Sequence, residues 1–439
     1  MKAIALTHYL PSNHPHCFIE SDLPDPTPGP RDLLVRVNAT SINPVDTKVR
    51  APKDKVESSP RVLGWDAVGE VIAVGSDVTL FKAGDRVWYA GDISRPGSNS
   101  ALQLVDERIA AIAPVTLTDL EAAALPLTAI TAWETLFERM SLTRESTGRL
   151  LIIGGAGGVG SIAIQLARQL TGREVISTAA RPETREWCLD MGAHQVVSHH
   201  HLQAELKALG ISEVDAIFCT NATEQHWNTM ASLIRPFGHI CTIAESSEPW
   251  DLGLLKPKSV TFSQEFMFTR SLFQTPDMIE QHNLLGRVSA LIDEGVLKTT
   301  LSKVVPELTP LTLARAHADG RGRLALAVVD REDAGPGDLG HVGRLGDAET
   351  DGTADDPGED RVGVQGGDPH RPVDAEEGED LGVEGDPDAQ SVLEEHPEGA
   401  HDRQQHQPGD RPEEPREDPG GPGEHGVVGQ PHHRQDDAE

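Results

Sequence analysis

At 439 residues the chain has room for two or three domains, and its formal net charge of -32 sets 70 acidic against 38 basic residues. The charge is uneven: from Arg331 onward 32 acidic residues face 8 basic ones, which leaves 38 and 30 in the first 330. No basic patch marks a nucleic-acid surface. Cys17, Cys188, Cys219 and Cys241 stand far apart with no C-x-x-C pair, which excludes a zinc ribbon or disulfide framework and points to a reducing cytoplasm. Residues 1–6 lack a signal peptide's apolar run, and no stretch reaches about 18 apolar residues, so a soluble, cytoplasmic chain with no membrane partner is expected.

Residues 1–125 read as β-rich. Runs such as Leu33-Leu34-Val35-Arg36-Val37 and Arg86-Val87-Trp88-Tyr89 are divided by Pro/Gly clusters, as in a barrel-like or sandwich domain. Asp119 reads as a helix cap, and a second helix is predicted over 129–139. Strands are predicted at 150–153, 174–178, 195–197, 216–219, 239–243 and 260–268, with helices between them. That alternation implies an α/β parallel sheet covered on both faces. An amphipathic helix over 277–295 and strands at 301–305 and 325–329 follow.

After Asp330 the chain holds no Lys, Asn, Ile, Phe, Trp, Tyr, Met or Cys. Such a segment cannot bury enough apolar surface to offset its ordering entropy, so 331–439 is expected to be a disordered acidic tail. Most of the missing residues use codons poor in G and C, which suggests an unselected extension of a GC-rich gene in a shifted frame. The rival reading is a selected acidic arm for a basic partner.

The run Arg149-Leu150-Leu151-Ile152-Ile153 leads into Gly155-Ala156-Gly157-Gly158-Val159-Gly160 and then a helical pattern. Strand, G-x-G-x-x-G and helix in that order describe a dinucleotide site. Gly155 is assigned the tight turn, Gly157 the close approach to pyrophosphate and Gly160 the helix–strand packing. The second strand ends Ile176-Ser177-Thr178-Ala179-Ala180-Arg181, with no acid for a ribose 2′-hydroxyl. Arg181, with Ser177 and Thr178, suits a 2′-phosphate, so NADPH is the expected cofactor.

Taken together, a β-rich front, a central Rossmann region and a closing segment resemble the medium-chain dehydrogenase/reductase superfamily. Ser41-Ile42-Asn43-Pro44-Val45-Asp46, Leu63-Gly64-Trp65-Asp66-Ala67-Val68-Gly69 and Ala123-Ala124-Leu125-Pro126-Leu127-Thr128-Ala129-Ile130-Thr131-Ala132 are similar to its quinone oxidoreductase, zeta-crystallin-like branch. Trp88-Tyr89-Ala90-Gly91-Asp92 and the string from Glu265 to Phe273 resemble a bacterial subgroup labelled zinc-type alcohol dehydrogenase-like. The resemblance covers residues 1 to about 330. It implies a GroES-like catalytic domain at 1–125, a Rossmann domain at 126–268, a return to the first domain at 269–330, and a homodimer. It also implies that Thr131 and His199 contact the cofactor and that Asn43 and Asp46 lie near the nicotinamide.

In the zinc enzymes of that family the first Cys falls at Asn43 and the ligand His at Trp65, while 124–131 and 90–110 hold no cysteine. No metal is therefore expected, since Asp46 and Asp66 alone do not hold a borderline-soft ion. His199-His200-His201 is weighed as a ligand set and set aside, because adjacent side chains do not converge on one point. Without a Lewis acid the easier substrates carry their own electron sink, namely quinones and α,β-unsaturated carbonyls. Candidate catalytic groups are Asn43 (amide donor), Tyr89 (hydroxyl donor) and Asp46 (orienter or acid). Zinc-type alcohol dehydrogenase activity, an enoyl reductase and a non-catalytic dinucleotide binder remain as alternatives. One departure from the branch is Gly322-Arg323-Leu324-Ala325-Leu326-Ala327, where its Gly-Lys is missing.

Overall fold

The computed structural model describes residues 1–246, 248–305, 307–319 and 324–328; the acidic segment from Arg331 and the Gly322-Arg323 pair lie outside the described residues. The chain opens with β1 (Lys2–Tyr9), β2 (Ile19–Asp22), β3 (Asp32–Ile42), α1 (Pro44–Val49) and β4 (Lys53–Val62). Next come β5 (Ala67–Val74), β6 (Arg86–Tyr89), β7 (Leu102–Asp106) and β8 (Ala110–Ile112). Two short helices, α2 (Asp119–Ala123) and α3 (Pro126–Trp133), lead through a π-helical turn, Glu134–Arg139, to the Rossmann part.

That part runs β9 (Arg149–Ile153), α4 (Gly158–Leu170), β10 (Glu174–Thr178), α5 (Pro182–Asp190), β11 (Gln195–Val197) and α6 (Leu202–Ala208). It continues β12 (Val214–Cys219), α7 (Thr223–Leu233), β13 (Ile234–Thr242) and β14 (Thr261–Gln264). After α8 (Thr269–Phe273), α9 (Glu280–Asp293), β15 (Lys303–Val305) and α10 (Pro310–Asp319), the strand β16 (Leu324–Ala327) pairs antiparallel with β3.

The six-stranded sheet has the order β11-β10-β9-β12-β13-β14, and every neighbouring pair is parallel. Side chains on a strand alternate between faces, and both faces here are covered. Leu150 and Ile152 pack with Ile162, Leu166 and Leu285 from α4 and α9. Leu151 and Ile153 pack with Leu206, Trp227 and Met230 from α6 and α7. Each such buried Leu or Ile contributes about 1.5–3 kcal/mol. Because the strands are apolar on both faces, they read as continuous hydrophobic runs.

In the front domain, β3 directs Leu33, Val35 and Val37 into one cluster with Val71, Val87, Val105 and Ile109. A register shift between Val37 and Ala39 then turns Ala39 and Ile42 toward a second cluster containing Trp65, Val68 and Trp88. Among the described residues no helix is long and apolar enough to cross a membrane. All four cysteines are buried.

Several predicted boundaries move, the strand expected over 239–243 beginning at Ile234 among them, and three elements change in kind or cause. The cap of α2 is Thr118, not Asp119: Thr118 Oγ1 accepts from the Glu121 N–H, and the Glu121 carboxylate accepts from the Thr118 N–H. This capping box satisfies two orphan donors at once and leaves Asp119 to pair with Arg86 at 2.6 Å. The helix expected over 129–139 starts three residues earlier, with Pro126 in its first turn, and its second half is the π-helical turn. The strand expected over 260–268 stops at Gln264, because its partner β13 ends at Thr242 and offers no further ladder.

Candidate active site

The chain must reverse sharply between β9 and α4. The residue that does so is Gly154, at φ +85°, a conformation that glycine alone adopts freely, so the turn assigned to Gly155 belongs to its neighbour. Gly155 is needed for a different reason: a Cβ there would run into Ser177 Oγ. At Gly160 a Cβ would strike the Gly154 carbonyl and the Gly155 backbone, which is the close helix–strand packing expected. Gly157 is the exposed N-cap of α4, with Ala156, Gly158 and Val159 half-buried around it. The first N–H groups of this 13-residue helix have no intrahelical partner, and its dipole puts positive potential there. A pyrophosphate fits that end.

The second strand is tied to this turn. The Gly154 N–H donates to Thr178 Oγ1 (3.0 Å) and the Gly155 N–H to the Thr178 carbonyl (3.2 Å). Ser177 is fully buried beneath Gly155, with its hydroxyl donating to Cys188 Sγ (3.5 Å). A 2′-phosphate therefore has no access to Ser177, and its proposed contact is corrected. Arg181 is exposed at the N-cap of α5 and makes no ion pair among the described residues. His199 lies at the C-terminal end of β11, exposed, 4.2 Å from His200 and 6.4 Å from His226 between ring centroids. These rings line a cavity of about 500 Å³ with Leu202, Gln225 and Thr229. Partial burial, and then neighbouring imidazoles, hold His199 and His226 below the usual histidine range. The cavity sits at the carboxyl ends of β11 and β12, where open α/β sheets bind ligands. His226 is a residue the sequence reading missed; its place in the first turn after the fourth sheet strand was the available signal.

On the front domain, two expected residues come together around a third. Asn43 precedes α1, and its N–H donates to Asp46 Oδ2 (2.7 Å). Its side-chain amide donates to Asp66 Oδ2 (2.7 Å), which also accepts from Ser41 Oγ (2.6 Å). Asp66 Oδ1 accepts from the Leu127 N–H at the start of α3 (2.7 Å). Asn43, Asp46 and Asp66 are 2%, 1% and 0% exposed. Burial pushes Asp66 up to about 6 against its three hydrogen bonds, and pushes Asp46 well above the carboxylate range, the charge of Asp66 adding to it. Thr131, also buried on α3, donates its hydroxyl to the Leu127 carbonyl (2.8 Å).

Tyr89 is not brought to this group. It is fully buried on the other side of its sheet, packed with Leu33, Val35 and Met278, and its hydroxyl has no hydrogen-bond partner among the described residues. A donor role is corrected accordingly: strand alternation sends Trp88 toward the Trp65 cluster and Tyr89 into the cluster of Leu33 and Val35. Trp65 is 1% exposed and meets Phe268 edge-on, ring centroids 5.8 Å apart. The place where a catalytic zinc would need Cys and His ligands thus holds an amide, an indole and a carboxylate whose two oxygens already accept three hydrogen bonds. Those residues do not fit the metal. Among the described residues no group of three or more His, Cys, Asp or Glu side chains is arranged to hold an ion.

Asp66 was weighed in the sequence only as a metal ligand; its structural role depends on Leu127, 61 residues away. A carboxyl raised by burial contributes stability that is present below its unfolded pKa and lost as pH rises through its folded one. Between the unperturbed value near 3.8 and about 6, the stability difference between wild type and Asp66→Asn is expected to shrink by about 3 kcal/mol, read by urea unfolding. Parallel pH curves for the two proteins would contradict the assignment.

The family model for the alcohol dehydrogenase GroES-like domain matches residues 29–105, and that for zinc-binding dehydrogenase matches 158–284. A zinc-type alcohol dehydrogenase-like protein of Staphylococcus aureus is 50% identical over 297 residues, covering 66% of this chain and 88% of that protein. A Rhizobium etli structure assigned as a zinc-dependent alcohol dehydrogenase superposes with a TM-score of 0.71 at 45% identity, over 75% of this chain and 98% of that one. Escherichia coli quinone oxidoreductase, solved with NADPH, gives a TM-score of 0.62 at 25% identity, over 74% of this chain and all of its own. With half its aligned residues shared over most of the staphylococcal protein, and with this helix terminus and sheet order, the chain belongs to the medium-chain dehydrogenase/reductase superfamily, an oxidoreductase whose cofactor is a nicotinamide dinucleotide.

Proposed function

We propose that the protein is a zinc-independent, NADPH-dependent reductase of quinones or α,β-unsaturated carbonyl compounds. The observation that carries this reading is the donor set at Asn43, Trp65 and Asp66, which offers hydrogen bonds and an apolar wall in place of metal ligands. Simple alcohols need a Lewis acid or strong base at oxygen, whereas a conjugated carbonyl takes hydride by delocalising charge onto its own oxygen. The bound nicotinamide supplies that hydride. The chain's share is to hold the reactants. The N–H groups at the start of α4 take the pyrophosphate, and the exposed Arg181 pairs with the 2′-phosphate. Thr131 and His199 are the further proposed cofactor contacts. Asp46 and Asp66 bracket Asn43 and fix its amide beside the acceptor. Burial raises the Asp46 carboxyl well above the carboxylate range, and in this reading it serves as the internal acid. The NADPH-bound quinone oxidoreductase relative supports both halves of the proposal.

Two measurements test it. NADPH is expected to bind at least about tenfold tighter than NADH, and Arg181→Ala to remove most of that margin, since a charge-assisted pair is worth about 1.5–3 kcal/mol. Equal affinities in the unaltered protein would sink the cofactor assignment. Elemental analysis is expected to find well under one zinc per chain, with NADPH oxidation by a quinone and enone panel unchanged after chelation. Stoichiometric zinc, with activity lost on its removal, would return the protein to alcohol oxidation.

A further inference from the structure

Helix α1 carries Asp46 and follows Asn43, yet it is only 6 residues long. So short a helix does not hold itself together in water, and its place is set by what its ends are tied to. At the start, the Asn43 N–H is tied to Asp46 and the Asn43 amide to Asp66. At the other end Arg50 caps it, donating its N–H to the Asp46 carbonyl (3.1 Å). Arg50 is 5% exposed, and its guanidinium reaches two other segments. Nη1 donates to the Leu10 carbonyl (2.6 Å) just after β1, and Nε donates to Nδ1 of His317 on α10 (3.2 Å). Phe18, just before β2, touches both: its ring meets His317 edge-on at 5.0 Å, and the Arg50 charge stands 5.9 Å from its centroid.

The hydrogen-bond partners of this buried cation, among the described residues, are all neutral. A guanidinium can only donate, so the His317 nitrogen facing it must keep its lone pair, and the ring proton sits on Nε2. His317 is 4% exposed, and Nε2 has no hydrogen-bond partner among the described residues. A second proton on the ring would displace the bond from Arg50 and set two cations face to face. Burial, and then the charge of Arg50, accordingly pull the imidazole down to about 3. Of the other titratable groups nearby, the Cys17 thiol acts on Arg50 from beside Phe18. On α10 itself Asp319 pairs with Lys303 (3.5 Å) and Arg315 is exposed. The chain that follows α10 enters β16, which pairs Ala325 with Ser41 and Leu324 with Ile42. The returning segment thus meets the Asn43 loop from both sides, through β3 ahead of it and through Arg50 behind.

We propose that His317 is a positioning residue: its neutral ring holds Arg50, and through Arg50 the end of α1, so that Asn43 and Asp46 stay in place beside Asp66, and a proton on the ring releases that hold. Its bearing on turnover rests on placing the hydride acceptor beside Asn43. His317→Asn keeps an acceptor close to where Nδ1 stands and cannot be protonated. His317→Leu fills the space and leaves Arg50 Nε unpaired.

The test uses the full-length wild type and these two variants. Hydrogen exchange of the α1 amides at pH 5 and pH 7, corrected for intrinsic exchange, gives the constant for opening. The ring is held low when closed and regains its ordinary value near 6.5 when released, so its contribution to the closed state is present above about 6.5 and lost as pH falls below it. The opening constant of wild type relative to His317→Asn is therefore expected to rise about twentyfold from pH 7 to pH 5. Asp46 and Asp66 titrate in both proteins and drop out of the ratio. With NADPH and cyclohexenone at pH 7, His317→Leu is expected to lose at least about tenfold in kcat while the KM for NADPH changes less than about twofold. His317→Asn is expected to return kcat to within about threefold of wild type. A flat exchange ratio overturns the inference, and so does a His317→Leu as active as wild type or a His317→Asn no more active than His317→Leu. If wild type itself turns over no enone, the proposed activity falls instead, and the exchange ratio, which needs no His317→Leu protein, decides the hold on α1 by itself.

Discussion

A single buried carboxylate joins the two halves of the site. Asp66 accepts hydrogen bonds from Ser41 at the end of β3, from Asn43 ahead of α1 and from the Leu127 N–H that opens α3. Its charge is expensive to bury, and the three donors are what make it tolerable. Because the acceptor is shared, the front-domain loop carrying Asn43 and the helix carrying Thr131 cannot shift independently. The opposing tendency, proton uptake, remains close at hand, and burial wins by enough to lift Asp66 to about 6.

The glycine turn proposed for the cofactor depends on a steric constraint rather than on charge. Gly154 supplies the reversal, Gly155 makes room for Ser177, and Gly160 lets α4 lie close to the turn. Each glycine answers to a different neighbour, and each neighbour is itself placed by the parallel sheet. Thr178 completes the arrangement by accepting from Gly154 and offering its carbonyl to Gly155. The result is an exposed helix terminus after β9 and an exposed arginine after β10, with the histidine-lined crevice at the ends of β11 and β12.

Much of this could be read along the chain. The strands at β10 and β11 were anticipated to the residue, since apolar runs bounded by turn residues carry their own limits. The glycine motif, Arg181 and the cluster of Asn43 with Asp46 also stood in the local pattern. What failed had a common cause: alternation along a strand gives the period of the side chains but not which face meets the ligand. Tyr89 and Ser177 were both assigned to the wrong face, one going into the Leu33–Val35 cluster and the other under Gly155. Contacts between distant residues were equally out of reach. Nothing near Glu134 announces Arg270, which lies more than a hundred positions away and pairs with it only in the fold.

The central claim is that this site transfers hydride to a conjugated acceptor without a metal. The most direct measurement is product mass analysis after chelator-treated protein has reduced cyclohexenone with NADPH carrying deuterium at the transferable C4 position. The account predicts cyclohexanone with one deuterium on the carbon β to the carbonyl. Product without deuterium, or labelled product formed only after zinc is restored, would contradict it.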